Sequence, residues 1–322
     1  MRDLAIVTLN YNGTEDTLEC LESLSRCNTE YTYDVYVLDN DSSINERELL
    51  CNWALVQKDF CITSIEKFRS EDELSGNYLI TSHENYGFAK GNNIVVEKIY
   101  ALYRYVLLLN NDTVVTHDFI QKMIKFMDSD EEVGFASCRI NTFYEKDVMW
   151  NCGGKLRPWG LRKYFSQKEI ESKGEIIEAE FITGCALFVR PSIIEKYGLF
   201  TDQFFFGEED FNYCWRMKKL HIKGKCLTEP LVFHKVSKSS QKVGEKVGKL
   251  AGYYVVRTVD MRQFYPYPIW VIWKRVIVFL IGVKWRLSGY PRKTVKKMKK
   301  IIHNYSKNKC ISKKDMFDVW NM

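Results

Sequence analysis

Short, continuous apolar runs alternate with amphipathic stretches through the first half of the chain. Leu4–Leu9, Tyr36–Leu38 and Tyr105–Leu109 read as strands buried on both faces. Between the first two, Thr14–Cys27 reads as a helix with Leu18, Leu21 and Leu24 on one side. Thr116–Met127 reads as another, with Thr116 as its N-cap and Phe119, Met123 and Phe126 inward. This strand–helix rhythm predicts an α/β fold with a mainly parallel sheet, and ligands bind at the carboxyl ends of such strands. Asn10, Asp39 and Asn110 each stand just past one of those ends, so all three should face one crevice.

Residues 138–182 are less regular. Trp150–Gly160 mixes aromatic, glycine and basic residues without a period and reads as loops and short strands over the crevice. Phe181–Arg190 reads as a strand whose small residues admit a close backbone approach. After His234 the composition shifts, which divides the chain into residues 1–240 and a basic, aromatic-rich helical region, 241–322. There, Ile269–Leu287 is apolar but broken by Lys274, Arg275, Lys284 and Arg286, so a membrane-spanning helix is not expected. Wound as a helix, Ile269, Trp273, Val276, Leu280, Val283 and Leu287 form one uncharged face, with the four cations opposite. Pro291–Lys300 follows as a polybasic segment. That layout predicts a helix lying in a membrane interface, against the simpler alternative of a helix packed on the first domain.

Charge sharpens this reading. Met261–Lys314 holds 15 Lys or Arg and no acid, so the net +6 divides into +15 there and −9 elsewhere, which points to an anionic partner. The 322 residues suffice for one large domain with an appendage. The ten cysteines include no C-x-x-C pair, which predicts reduced cytosolic thiols and neither a zinc site nor a disulfide frame. The six-residue apolar run at the N-terminus reads as a strand, too short for a signal peptide.

Four stretches carry the chemistry: Val37–Ser43, Glu84–Asn93, Leu107–Thr113 and Gly207–Arg216. An apolar strand ending in Asn110-Asn111-Asp112 brings a carboxylate to the point where a buried strand meets solvent, a natural place for a hard divalent cation. Glu209 and Asp210 open a helix, where the dipole favours an ionised carboxylate.

Together, over about residues 3–240, these stretches resemble glycosyltransferase family 2, the inverting enzymes of GT-A (Rossmann-like) fold, and in style its rhamnosyltransferase-like bacterial polysaccharide members. The resemblance implies a mixed, mainly parallel sheet flanked by helices. Asp39 would accept the imide N–H of uracil or thymine, favouring UDP or dTDP donors, with Thr8 and Asn10 lining the nucleoside pocket. Asn85, Gly87, Lys90, Gly91 and Asn93 match a segment whose glycines let backbone approach the nucleotide. Asp112 would bind Mg²⁺ or Mn²⁺, with Asn110 and Asn111 beside the donor and His234 where relatives keep a metal-ligating histidine. Asn110 replaces the first acid of the family's Asp-x-Asp motif, which weakens the expected grip on metal. Asp210 would be the general base, and Glu209 would hold the acceptor or orient Asp210. Lys235 and Lys238 would meet the donor phosphates or simply be solvated.

The resulting expectation is an inverting, metal-dependent glycosyltransferase acting on a glycan or lipid-linked acceptor. It would sit peripherally on the cytoplasmic face of the membrane and bind no nucleic acid. A sugar nucleotidyltransferase would want a Gly-rich loop with Arg and Lys after the first strand, where this chain has the acidic Asn10–Asp16. A non-catalytic membrane- or nucleic-acid-binding protein would use the basic tail and would need no acidic residues at strand ends.

Overall fold

The computed structural model describes residues 1–236 and 243–321. The chain opens on β1 (Arg2–Asn10), α1 (Thr14–Ser25), β2 (Tyr33–Asn40), α2 (Ile44–Val56), β3 (Phe60–Ser64), α3 (Ile65–Ser70), β4 (Asn77–Ser82), α4 (Gly87–Ile99) and β5 (Tyr103–Leu109). A short β6 (Thr113–Val115) leads into α5 (Phe119–Ser129) and the long β7 (Val133–Thr142). Shorter elements follow: β8 (Met149–Asn151), β9 (Gly154–Arg157), β10 (Leu161–Tyr164), α6 (Gln167–Glu171), β11 (Ile176–Glu178), β12 (Ala186–Val189) and α7 (Pro191–Tyr197). Then come α8 (Glu209–Lys219), β13 (Lys223–His234), α9 (Val243–Asp260), α10 (Tyr267–Leu287), α11 (Arg292–Tyr305) and α12 (Lys313–Trp320).

The main sheet runs β11-β13-β7-β12-β5-β1-β2-β4-β3. From β5 to β3 every pairing is parallel. β12 enters antiparallel between β5 and β7, and β13 pairs parallel with β7. Covering this sheet on both faces explains the continuous apolar runs: Leu4 to Val7 of β1 and Val106 to Leu109 of β5 are buried without interruption. On one face α5 packs Phe119, Ile120, Met123 and Ile124, with the Phe119 ring edge-on to Phe188 of β12 at 5.8 Å. Burial of each such side chain stabilises the fold by roughly 1.5–3 kcal/mol. The helix starts later than its apolar spacing suggests: Asp118 holds the N-cap position, and the Thr116 hydroxyl donates to the Asp118 carboxylate at 2.8 Å. α1 likewise ends at Ser25, and Leu18 lies only half-buried beside Leu21 and Leu24.

Phe181–Arg190 departs further from expectation. Only Ala186–Val189 is strand; Phe181 makes a lone bridge to Gly154, and Ile182–Cys185 turns across the end of β5. The turn is held by the Asn110 amide, which donates to the Cys185 carbonyl at 2.8 Å. The ten cysteines are all unpaired.

The C-terminal helices do two things. α9, α11 and α12 build a hydrophobic cluster with Trp285, Ile302, Met316 and Val319 at its centre. α10 also reaches the main core through Trp270 and Trp273, and the Trp273 indole donates to the Trp159 carbonyl at 2.8 Å. Trp273 is thus buried, unlike the outward face to which its spacing assigned it. The four cations do not share one face either: Lys274 turns inward to the Ser306 hydroxyl at 3.0 Å, while Arg275 and Arg286 are exposed. A second apolar ridge remains in the open, formed by Ile269, Ile272, Val276, Phe279, Val283 and Leu287. Among the described residues no helix is long and apolar enough to cross a membrane.

Candidate active site

The parallel strands β1, β2 and β5 end side by side, and one hydrogen-bond path ties their polar ends together. Asn10 donates to Asp39 Oδ1 at 3.0 Å and to Ser42 at 3.2 Å. Its own carbonyl oxygen accepts from Thr17 at 2.9 Å, and Thr17 in turn accepts from Asn111 at 2.9 Å. Asp112 is the next residue. From Asn110, the backbone bond to Cys185 leads to Gly184, whose N–H points at Asp210 Oδ2 at 3.4 Å. Asp39, Asp112 and Asp210 therefore lie along one rim of the sheet.

Asp39 is fully buried, and its second oxygen accepts from Arg47 Nε at 2.7 Å. Arg47 also donates to the Ser82 carbonyl at 2.7 Å, closing over the strand ends. Apolar periodicity gave no sign of Arg47. Among the described residues the buried Thr8 hydroxyl and the Asn110 side-chain oxygen have no hydrogen-bond partner.

In the Glu84–Asn93 segment, Asn85 accepts from the Gly87 amide at 2.9 Å and from Asn40 at 3.2 Å. Gly87 has φ +76°, and a Cβ there would lie 1.9 Å from the Phe205 carbonyl oxygen. Gly91 sits against Leu9 of β1. Asn93 spends both ends of its amide on the Phe200 backbone, at 2.8 and 3.1 Å, and so braces α4 against the loop leading to α8. This uses its oxygen and one of its two amide N–H groups. Lys90 is exposed, with its ammonium 4.9 Å from the Tyr86 ring centre.

His234, the last residue of β13, lies opposite Thr113 of β6, which carries its Nε2 to 3.0 Å from Asp112 Oδ1. The Trp150 ring stands edge-on at 4.4 Å, and His234 Nδ1 is buried without a hydrogen-bond partner among the described residues. No group of three or more His, Cys, Asp or Glu side chains suited to a metal occurs among the described residues. The Asp112–His234 pair nonetheless offers one hard and one borderline ligand. They fit a cation whose other positions are filled by phosphate and water oxygens. Lys235 does not point to such phosphates: it pairs with Asp16 and with Glu19, the latter at 2.5 Å, on α1. Lys238 lies outside the described residues.

At the other end of the rim, the Phe211 amide donates to Asp210 Oδ1 at 2.7 Å, and Arg162 of β10 lies 3.8 Å from the same oxygen. Burial raises the Asp210 carboxyl above its ordinary value, and Arg162 pulls it back down. Glu209 is buried with Oε2 unpartnered; burial and the neighbouring Asp210 push it up to about 8. Glu208 has the opposite balance. Burial alone would raise it, but Arg257 and Arg162 hold it below the usual glutamate range. Neither arginine carried a sequence signal, since Arg162 lies in the aperiodic stretch and Arg257 just before the acid-free basic segment 261–314.

A mixed, mostly parallel sheet flanked by helices in this order matches the GT-A glycosyltransferases. The chain belongs to glycosyl transferase family 2, whose family model matches residues 5–198, and is a nucleotide-sugar glycosyltransferase. No curated protein matches it significantly. Among solved structures it is similar to a mannosyltransferase from Pyrobaculum calidifontis in complex with GDP-Man and Mn²⁺. That pair has 13% identity and a TM-score of 0.53 over 96% of this chain and 89% of the other. It also aligns with S. aureus TarS at 12% identity and a TM-score of 0.48, over 90% of this chain and 44% of TarS.

Proposed function

We propose that this enzyme transfers a sugar, with inversion, from a UDP- or dTDP-sugar to a hydroxyl of a glycan or lipid-linked acceptor in surface polysaccharide assembly. dTDP-rhamnose is one candidate donor. The observation that carries this reading is the continuous path along the strand ends, from Asp39 through Asn10, Thr17 and Asn111 to Asp112, and from Asn110 through Cys185 to Asp210. It supports a donor lying along the rim with its base toward the Asp39–Arg47 pair and its anomeric carbon toward Asp210.

In this reading Asp210 accepts the proton of the acceptor hydroxyl as that oxygen bonds to the anomeric carbon. The bond from that carbon to the phosphate oxygen breaks, and its electron pair leaves with the nucleoside diphosphate. Arg162, 3.8 Å away, favours the ionised form of Asp210 against the effect of burial. Asp112 and His234 would hold a divalent cation, which when bound neutralises charge developing on the leaving diphosphate. Glu209, protonated near neutral pH, is suited to donate a hydrogen bond to the acceptor. The exposed ridge of α10, beside the basic α11, supports peripheral contact with the cytoplasmic membrane face.

The test is a thermal-shift and calorimetry panel of UDP-, dTDP- and GDP-sugars with and without Mn²⁺, GDP being included because the Pyrobaculum neighbour carries GDP-Man. A stabilising nucleotide with Asp210→Asn inactive in transfer yet binding that donor is the expected result. Absence of any nucleotide-dependent stabilisation overturns the reading of the rim. Equal loss of binding and turnover in Asp210→Asn overturns the base.

A further inference from the structure

Asp210 belongs to a buried charge cluster that reaches into the C-terminal helices. Glu208 caps α8 in left-handed backbone, φ +65°, with its side chain fully buried. Arg257 of α9 binds this carboxylate through Nε. It also donates to the Gly160 carbonyl at 2.5 Å and to the Tyr253 hydroxyl at 2.6 Å. Arg162 reaches Glu208 through Nη2 at 3.3 Å and turns Nη1 toward Asp210 at 3.8 Å. One guanidinium thus stands between two carboxylates, and the other serves Glu208 alone. One turn further along each helix, Asn212 donates to Asp260 at 2.6 Å, which sets α9 in register on α8. Other titratable groups acting on Asp210 are Glu209 beside it, Tyr164 of β10, Cys214 of α8 and Cys185 before β12, while Tyr253 of α9 faces Glu208 and the two arginines.

We propose that Arg257 is a positioning residue for transfer: by pairing with Glu208 it leaves Arg162 free to face and aim the Asp210 carboxylate. The inference rests on reading Asp210 as the base. Without Arg257, the buried Glu208 charge has Arg162 as its nearest cation and draws that guanidinium away from Asp210. An opposite charge within about 4–6 Å lowers a carboxyl pKa by about 1–3 units, so its withdrawal is large enough to measure. Arg257 lies beyond the residues matched by the family model, so the C-terminal helices here contribute to the site itself.

The test is a pH titration of ¹³C-carboxyl aspartate resonances in the full chain, with the Asp210 signal identified by its loss in Asp210→Asn. Arg257→Met is expected to raise the Asp210 midpoint by about 1 pH unit or more. Glu208→Gln is expected to lower it, and the double variant to return it toward wild type. An unmoved midpoint in a folded Arg257→Met protein overturns the proposal. If that variant does not fold, Glu208→Gln decides, and an unmoved or raised midpoint there overturns it equally. Failure of the base assignment shows separately, as retained transfer by Asp210→Asn, whatever the titrations give.

Discussion

His234 Nε2 lies 3.0 Å from Asp112 Oδ1, joining side chains 122 residues apart where β6 meets β13. In the proposed function this carboxylate and this imidazole would supply two ligands to a divalent cation. Asp112→Ala should abolish Mn²⁺-dependent nucleotide binding. His234→Ala should weaken it by about tenfold or more, within the range seen when groups supporting a metal are removed. Isothermal calorimetry with the best nucleotide of the donor panel, at several Mn²⁺ concentrations, measures both. Metal-independent binding of equal strength in both variants would remove the cation from this site.

Gly87 opens α4 at φ +76°, where a Cβ would fall 1.9 Å from the Phe205 carbonyl oxygen. Neither the left-handed backbone nor that clash can be relieved by a side-chain rotation, because the obstacle is backbone. The Gly87 carbonyl also accepts from Asn40 at 3.1 Å, so any shift pulls on the end of β2. Gly87→Ala should cost about 1–3 kcal/mol and displace the loop that carries Glu208–Asp210. A lowered unfolding temperature together with lost transfer is expected. A stable, fully active variant would show that this approach is not tight.

How much of this was legible from residue order depends on the distance over which each contact acts. β1, β2 and β5 were readable because burial on both faces leaves an uninterrupted apolar run, and Asn10, Asp39 and Asp112 because each ends such a run. Arg162 and Arg257 were not readable. Each meets Glu208 across more than forty residues, and a single buried arginine leaves no periodic trace. Phe181–Arg190 misled for a related reason. Its apolar composition fits a strand, but Thr183 and Gly184 turn the backbone so that an N–H faces Asp210. In α10 the 3.6-residue period admits two apolar faces, and spacing alone could not assign Trp273 to the inner one.

Asp260 gives the fold a pH dependence that can be isolated. Burial pushes its carboxyl up to about 8, and the Asn212 bond offsets this only in part. Unfolded, the same group releases its proton near pH ~4. Between those values the native state binds more protons, so stability falls as pH rises through that window. Glu209, pushed up to about 8 as well, acts in the same direction. Asp260→Asn removes one of the two titrations and keeps an oxygen to accept from Asn212. Its unfolding temperature should exceed that of the wild type by a few degrees at pH 8, with the gap closing toward pH 5. A gap that stays constant across this range would mean that Asp260 is ionised in the fold.

The outer ridge of α10 makes the membrane reading testable without touching the catalytic rim. Trp270, Trp273 and Trp285 anchor the helix inward, so Phe279 and Val283 are exposed by packing and not by fraying. Arg275 and Arg286 of α10 and Lys293, Lys296 and Lys300 of α11 are exposed, and Lys299 of α11 lies 5.6 Å from the Phe279 ring centre. An apolar strip between cations matches a leaflet whose acyl boundary is covered by anionic headgroups. The protein should sediment with phosphatidylglycerol vesicles at low salt and much less with phosphatidylcholine vesicles. Phe279→Glu combined with Val283→Glu should abolish binding to both while leaving the unfolding temperature unchanged. Lys296→Gln and Lys300→Gln should each cost about 1 kcal/mol, roughly fivefold, on the anionic vesicles alone. If the wild type ignores phosphatidylglycerol at low salt, the ridge does not serve a membrane. If the paired glutamates bind as well as the wild type, the contact runs through charge alone, and the apolar strip has no part in it.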